Sequence, residues 1–112
     1  MTELEKFEEK VEAARAAYTE RLTTATERKV TTLGVALEAR RQAVAVALRD
    51  LRRAKSKGAA VDTFDLTETT AWSEEGKARG TAEREFAKEK EVAGKKLSSD
   101  TISAAEELGG KR

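Results

Sequence analysis

An apolar residue recurs every eleven positions through the first half of the chain. The series consists of Val11, Leu22, Leu33 and Val44. Eleven residues over three turns is about 3.67 residues per turn, close to the 3.6 of an α-helix, so these side chains follow one stripe of a single helix. A seven-residue period would place arginines in the stripe instead. The spacing therefore predicts a long helix that packs along an eleven-residue apolar period.

Residues 1–57 are predicted to form this long helix. The segment holds no proline and only one glycine, Gly34. Thr2 followed by Glu5 matches a capping box, in which each residue hydrogen-bonds the other at a helix start. The run Lys55-Ser56-Lys57-Gly58 places cations and then glycine where a helix is expected to stop.

The second half predicts a weaker helix that returns along the first. We expect residues 58–64 to form a connector and 65–97 to form the second helix, opened by Asp65 and Glu68 as a further capping box. Its three interior glycines each cost about 1 kcal/mol relative to alanine, so docking must supply its stability. The run Leu97-Ser-Ser-Asp predicts a break, followed by a short C-terminal helix and tail over 98–112.

The distribution of charge favours an antiparallel hairpin. Residues 1–20 carry a net charge of −3, and residues 39–57 carry +6. Residues 59–76 carry −5, and the chain from 77 onward carries +2. Folding the second helix back along the first places each stretch beside one of opposite sign. The same pattern would also favour antiparallel pairing of two copies. The predicted fold is therefore all-α, a coiled-coil-like helical hairpin.

The middle of the first helix is apolar on more than one side. Leu33 and Val44 lie on the main stripe, whereas Val35 and Val46 point nearly opposite. A helix that is apolar on several sides is normally buried on several sides, which predicts a bundle of three or more helices, some from other chains. The alternative is that valine and alanine here only favour helix formation and that their side chains remain exposed to solvent. The predicted oligomer interface comprises Leu33, Val35, Leu37, Val44, Val46, Leu48, Leu51 and Trp72.

A basic segment within residues 39–57 is the one candidate ligand-binding feature. A helix rich in cations can lie along nucleic-acid phosphates or an anionic membrane. Neighbouring acids can neutralise it, the chain total is only +1, and no aromatic residues interleave to stack on bases. The candidate polyanion-binding residues are Arg40, Arg41, Arg49, Arg52, Arg53, Lys55 and Lys57.

Composition argues against several functional classes. Without cysteine or histidine the chain lacks the usual ligands of zinc, iron–sulfur clusters and haem, so we expect no metal and no cofactor. Paired glutamates on exposed helices usually serve solvation, so we expect no enzymatic activity. No apolar run approaches the roughly 20 residues of a membrane span, and the acidic start MTELEKFEEK does not resemble a signal peptide. An intracellular location is expected.

These observations together favour a non-enzymatic structural protein. We expect it to act through helix–helix oligomerisation, with itself or with other subunits as partners. A small subunit of a virion, or of another filamentous or stalk-like assembly, is the context that this composition suggests. The alternative is a nucleic-acid-associated helical protein that uses the basic segment; membrane binding is less favoured.

Overall fold

The computed structural model describes residues 2–109, which form two α-helices. Helix α1 spans Glu3–Arg53 and helix α2 spans Lys57–Leu108. The helices pack as a helical hairpin, and no strand occurs among the described residues. The all-α fold class and the hairpin predicted from the sequence are thereby confirmed.

The N-terminus of α1 carries the predicted capping box. The backbone N–H of Thr2 donates to Oε1 of Glu5 at 3.2 Å, and the backbone N–H of Glu5 donates to Oγ1 of Thr2 at 3.1 Å. Two backbone groups that lack helical partners are satisfied in this way, so α1 begins where the sequence indicates.

The turn between the helices is shorter than predicted and comes earlier. Helix α1 ends at Arg53 rather than at residue 57, and residues 54–56 form the whole connection. The ammonium group of Lys57 donates to the carbonyl oxygens of Leu51 at 2.8 Å and Arg52 at 3.1 Å. Lys57 therefore supplies a donor to the Arg52 carbonyl and a second donor to the Leu51 carbonyl, which also accepts from the backbone N–H of Ala54 at 3.3 Å.

The predicted connector over 58–64 is wrong, because these residues are the first turns of α2. Ala60 and Phe64 contribute to the same groove as Ala47 and Leu51 of α1. Contact with α1 therefore favours helix here despite the glycine at position 58. Asp65 lies inside α2 and does not open it.

The predicted break over 98–100 is also wrong. Helix α2 continues to Leu108, so the predicted C-terminal helix is its last segment. The hydroxyl of Thr101 donates to the carbonyl of Leu97 at 2.9 Å, and Lys96 pairs with Asp100 at 2.8 Å. The polar side chains of this segment therefore bond to residues of the same helix, one turn away. Residues 110–112 of the predicted tail lie outside the described range.

An eleven-residue repeat governs the inward face of both helices, which we call the seam. Within each repeat the inward positions are separated by four, three and four residues, and every one of them is buried or half-buried. On α1 the seam comprises Phe7, Val11, Ala14, Tyr18, Leu22, Ala25, Lys29, Leu33, Ala36, Arg40, Val44, Ala47 and Leu51. On α2 it comprises Ala60, Phe64, Thr67, Ala71, Glu75, Ala78, Ala82, Phe86, Glu89, Ala93, Leu97, Asp100 and Ala104.

Alanines occupy the most buried seam positions. Apart from Glu75, the buried residues of the described chain are all alanines, and no large side chain is fully buried. A methyl side chain lets two helix backbones approach closely, because interhelical distance follows the size of the contacting residues. The leucines and valines of the predicted stripe flank these alanines and remain half-buried. The buried alanines are Ala14, Ala25, Ala71, Ala82, Ala93 and Ala104.

The chain divides into two compact units, each built from one segment of each helix. The terminal unit contains the described residues of 1–28 and 85–112, and the central unit contains residues 29–84. In the terminal unit, Lys10 of α1 pairs with Glu107 of α2. In the central unit, Arg40 pairs with Glu75. Arg40–Glu75 joins the +6 stretch to the −5 stretch, as the charge distribution predicts. Lys10–Glu107 runs in the opposite sense, because it joins a base of the −3 stretch to an acid of the +2 stretch.

Candidate interaction surfaces

The predicted interface residues do not share one environment. Leu33, Val44 and Leu51 are seam residues that contribute to the contact between α1 and α2. Leu37 and Leu48 are also half-buried and lie beside the seam. These five residues therefore contribute to packing between α1 and α2 within one chain, whether or not they also contact other chains.

The remaining three predicted interface residues are open to water in the single chain. Val35 is 66% exposed, Val46 is 45% exposed and Trp72 is 52% exposed. The hairpin does not enclose the middle of α1 on several sides. Burial of these side chains by other chains stays a prediction.

A shallow groove of small side chains runs along one flank of the seam in the central unit. One part, of about 290 Å³, is lined by Val46, Asp50 and Thr63 together with seam residues. A second part, of about 170 Å³, lies beside Ala39 and Glu74, and Ala43 lines both parts. Alanine, valine and threonine dominate the lining, so a third helix would meet little steric hindrance on this flank.

Arg40 and Glu75 form the most buried polar cluster of the central unit. The Glu75 side chain is 5% exposed and that of Arg40 is 17% exposed, and the two form an ion pair. Arg79 donates to the other oxygen of Glu75 at 3.0 Å. The guanidinium carbon of Arg40 lies 3.8 Å from the centre of the Trp72 ring, a cation–π contact. Among the described residues no buried side-chain polar atom lacks a partner.

This cluster changes the interpretation of the basic segment. Arg40 is committed to Glu75 and Trp72, so it is not available to an external polyanion. Lys57 is committed to the carbonyls at the end of α1. No local sequence signal marks Glu75 as the specific partner of Arg40, although the −5 and +6 stretches predict that the two segments lie together.

The other predicted polyanion-binding residues stay exposed on the second half of α1 and, for Lys55, in the connection that follows it. Arg49 contacts only its neighbour Asp50, at 3.6 Å, with both side chains in solvent. The structure shows no ion pair or hydrogen bond from the side chains of four further cations within residues 2–109. These are Arg41, Arg52, Arg53 and Lys55.

The terminal unit holds a wider groove of about 710 Å³ with a mixed lining. Arg28 pairs with Glu89 across it, and Glu20, Arg21 and Lys88 also line it. Charges of both signs line the groove, so it does not favour either an anionic or a cationic ligand.

The described residues form neither a metal-binding cluster nor a membrane-spanning helix. No group of three or more potential metal ligands occurs within residues 2–109. Neither helix, over the described part of the chain, has an apolar stretch long enough to cross a bilayer.

The fold and surfaces define an all-α helical hairpin with a small-residue seam. No protein-family model, curated protein or solved structure matches the chain.

Proposed function

We propose that this chain is a structural subunit that assembles through helix packing on its central unit. The observation that carries the proposal is the exposure of large apolar side chains there. Six such side chains are between 42% and 69% exposed, and they come from both helices. They are Val30, Val35, Val46, Val61, Leu66 and Trp72.

The total accessible surface supports the same proposal. The chain exposes 8405 Å². A compact monomer of 12.2 kDa would expose only about 6000 Å². A two-helix hairpin buries one stripe of each helix and leaves the rest in water. Further helices, from other copies or from other subunits, would remove this excess surface from solvent.

Burial of the exposed apolar side chains can offset the free-energy cost of association only when several chains contribute. Completing the burial of six half-exposed side chains stabilises by about 1 kcal/mol each, or about 6 kcal/mol per copy. Association costs about 4–15 kcal/mol in lost translational and rotational freedom. Two copies together contribute about 12 kcal/mol, which lies within the range of this cost. Contacts with further chains add to this sum, which favours an oligomer or a larger assembly. A small subunit of a virion or of a filamentous or stalk-like complex fits this role.

Replacing Val46 by glutamate tests the proposal. Because Val46 is 45% exposed in the single chain, Val46→Glu leaves the hairpin folded but places a charge on the assembly surface. We expect wild-type protein to show a multimeric mass and a helicity that rises with concentration. In Val46→Glu the mass should fall towards the monomer, as measured by sedimentation velocity with circular dichroism on the same samples.

Two further variants make the result specific. Val92 is also exposed but lies in the terminal unit, so Val92→Glu should keep the multimeric mass. Leu48 is half-buried beside the seam, so Leu48→Glu should lower both helicity and mass. A wild-type protein that stays monomeric and fully helical at every concentration contradicts the proposal.

A further inference from the structure

The outward surface of α1 in the central unit carries arginines without acidic partners from α2. Arg41, Arg52 and Arg53 are exposed and make no ion pair within residues 2–109. Arg49 reaches only Asp50, its neighbour in sequence, at 3.6 Å. We call the four arginines the basic face.

The basic face differs from other cations of the same helix. Lys10, Arg28 and Arg40 each pair with a glutamate of α2, so the hairpin neutralises them internally. Nothing in the described chain neutralises the basic face to the same degree. Arginine presents a planar fork of donors that matches carboxylate and phosphate groups, so this surface suits an external anion.

A matching set of acids occupies the terminal unit. Glu8, Glu9 and Glu12 are exposed, and the structure shows no ion pair or hydrogen bond from their carboxylates. We call these three residues the acidic face. Glu5 lies nearby, but its carboxylate already accepts a hydrogen bond from the backbone of Thr2.

The two faces occupy the same positions of the eleven-residue repeat. Glu8 and Arg52 are separated by four repeats, and so are Glu9 and Arg53. None of these positions belongs to the seam, although Glu8 and Glu12 border a groove that the seam residues Phe7 and Val11 also line. The acids lie near the start of α1 and the arginines near its end.

We propose that the basic face of one copy docks on the acidic face of a second copy, with the two α1 helices antiparallel. This proposal rests on the assembly function proposed above and names the orientation of the partner. Antiparallel pairing forms two identical contacts, because the basic face of each copy meets the acidic face of the other. Parallel pairing would instead place like charges opposite each other.

Charge sets the orientation of this pairing, while apolar surface supplies its affinity. Exposed ion pairs contribute little individually and are screened by salt. Several ion pairs together strongly favour the arrangement in which opposite charges meet over the one in which like charges meet. Val30 and Val35 of α1 are exposed between the two faces in the sequence, so apolar contact accompanies the charged ends.

The observations favour a second copy over a nucleic acid as the partner. The chain carries acids and bases in nearly equal number, with a net charge of +1. The acidic face of the same chain would repel a nucleic acid, whereas a second copy uses both faces. Binding to nucleic acid is therefore an outcome to be measured in the same experiment.

Complementary charge-swap variants test the proposal. One variant, Arg49→Glu/Arg52→Glu/Arg53→Glu, replaces three of the four arginines, so that both faces carry net negative charge. The other, Glu8→Arg/Glu9→Arg/Glu12→Arg, makes both faces basic and leaves the Thr2–Glu5 cap intact. Each variant alone should associate at least roughly tenfold more weakly than wild type at low salt, because several weak pairs become repulsive at once.

An equimolar mixture of the two variants should recover association, since each pairs with its opposite. Sedimentation velocity measures the masses, and circular dichroism confirms that each variant remains helical. The matched control is Lys77→Glu/Lys88→Glu/Lys90→Glu. It makes the same change in net charge on exposed positions of α2 and should associate like wild type.

The outcomes separate this proposal from the assembly function. A monomeric wild-type protein overturns both. A multimeric wild type whose two swapped variants associate equally well overturns the antiparallel docking alone. If labelled DNA binds wild type and the mixture fails to recover association, the basic face serves a nucleic acid and the docking proposal is wrong.

Discussion

The terminal and central units use the same two helices but leave different surfaces in water. Both buried residues of α1, Ala14 and Ala25, belong to the terminal unit. In the central unit α1 has no buried residue, although it carries more leucine and valine there. Because a two-helix pair covers only one stripe of each helix, extra apolar residues in the central unit must face outward. Apolar content and burial are therefore separate properties in this molecule.

The units also differ in how their cross-hairpin ion pairs are placed. Lys10–Glu107 and Arg28–Glu89 in the terminal unit stand largely in solvent. Arg40–Glu75 in the central unit is almost enclosed, and Arg79 and Trp72 contact it from the sides. Exposed pairs are worth about 0–1 kcal/mol, whereas removing one member of a buried pair is far more costly.

The largest expected effect comes from removing the buried acid. Glu75→Ala leaves Arg40 half-enclosed without its partner, so we expect a loss of about 3 kcal/mol in the free energy of unfolding. Glu89→Ala removes an exposed partner of Arg28 and should cost about 1 kcal/mol or less. Urea denaturation followed by circular dichroism measures both. Equal losses would show that the two units do not differ in this respect.

A smaller effect is expected from enlarging the seam alanines. Ala93 in the terminal unit is among the most buried residues, and Ala71 in the central unit is slightly more open. Leucine at either position forces the helices apart and should cost about 1–3 kcal/mol, with the larger loss at Ala93. Ala87 is exposed on α2, so Ala87→Leu serves as the control and should change stability little. Thermal unfolding of the three variants compares these effects.

The eleven-residue period of α1 was predictable because large apolar residues mark it. The same period in α2 was not recognised, although alanines stand at positions 60, 71, 82, 93 and 104. Alanine is common in helices for its propensity alone, so its spacing attracts less attention than that of leucine. A residue type that recurs at the period of α1, even alanine, is therefore the sequence signal of the seam in α2.

The helix boundaries were less predictable than the fold class. Asp65 and Glu68 match a capping box, yet they lie inside α2 because Ala60 and Phe64 pack on α1 before them. Tertiary contact overrides a local signal worth about 1 kcal/mol. Arg40 shows the same limit, since its place in the seam depends on an acid thirty-five residues away.

Glycine-to-alanine changes in α2 should stabilise both units. A methyl group at Gly76 in the central unit or Gly94 in the terminal unit would meet no atom within 4 Å. Each change should therefore raise the free energy of unfolding by up to about 1 kcal/mol. At Gly80 the added carbon would lie 3.3 Å from Nη1 of Arg84, so Gly80→Ala should stabilise less. A Gly76→Ala variant that is less stable than wild type would show that another chain packs against this position.

The smallest expected effect concerns one exposed pair in the terminal unit. A hydrogen bond from Lys95, together with its charge, holds the pKa of the Glu91 carboxyl below its ordinary value. A carboxyl whose pKa is lower in the folded state stabilises the fold above its ordinary pKa, and this contribution is lost as the pH falls through the lowered value. Lys95→Gln removes the charge, so the pKa of Glu91 should rise towards its ordinary value in an NMR titration. Because Glu91 is fully exposed, the melting temperature should barely change, in contrast to the result for Glu75. An unchanged pKa for Glu91 in this variant would mean that the pair does not persist in solution.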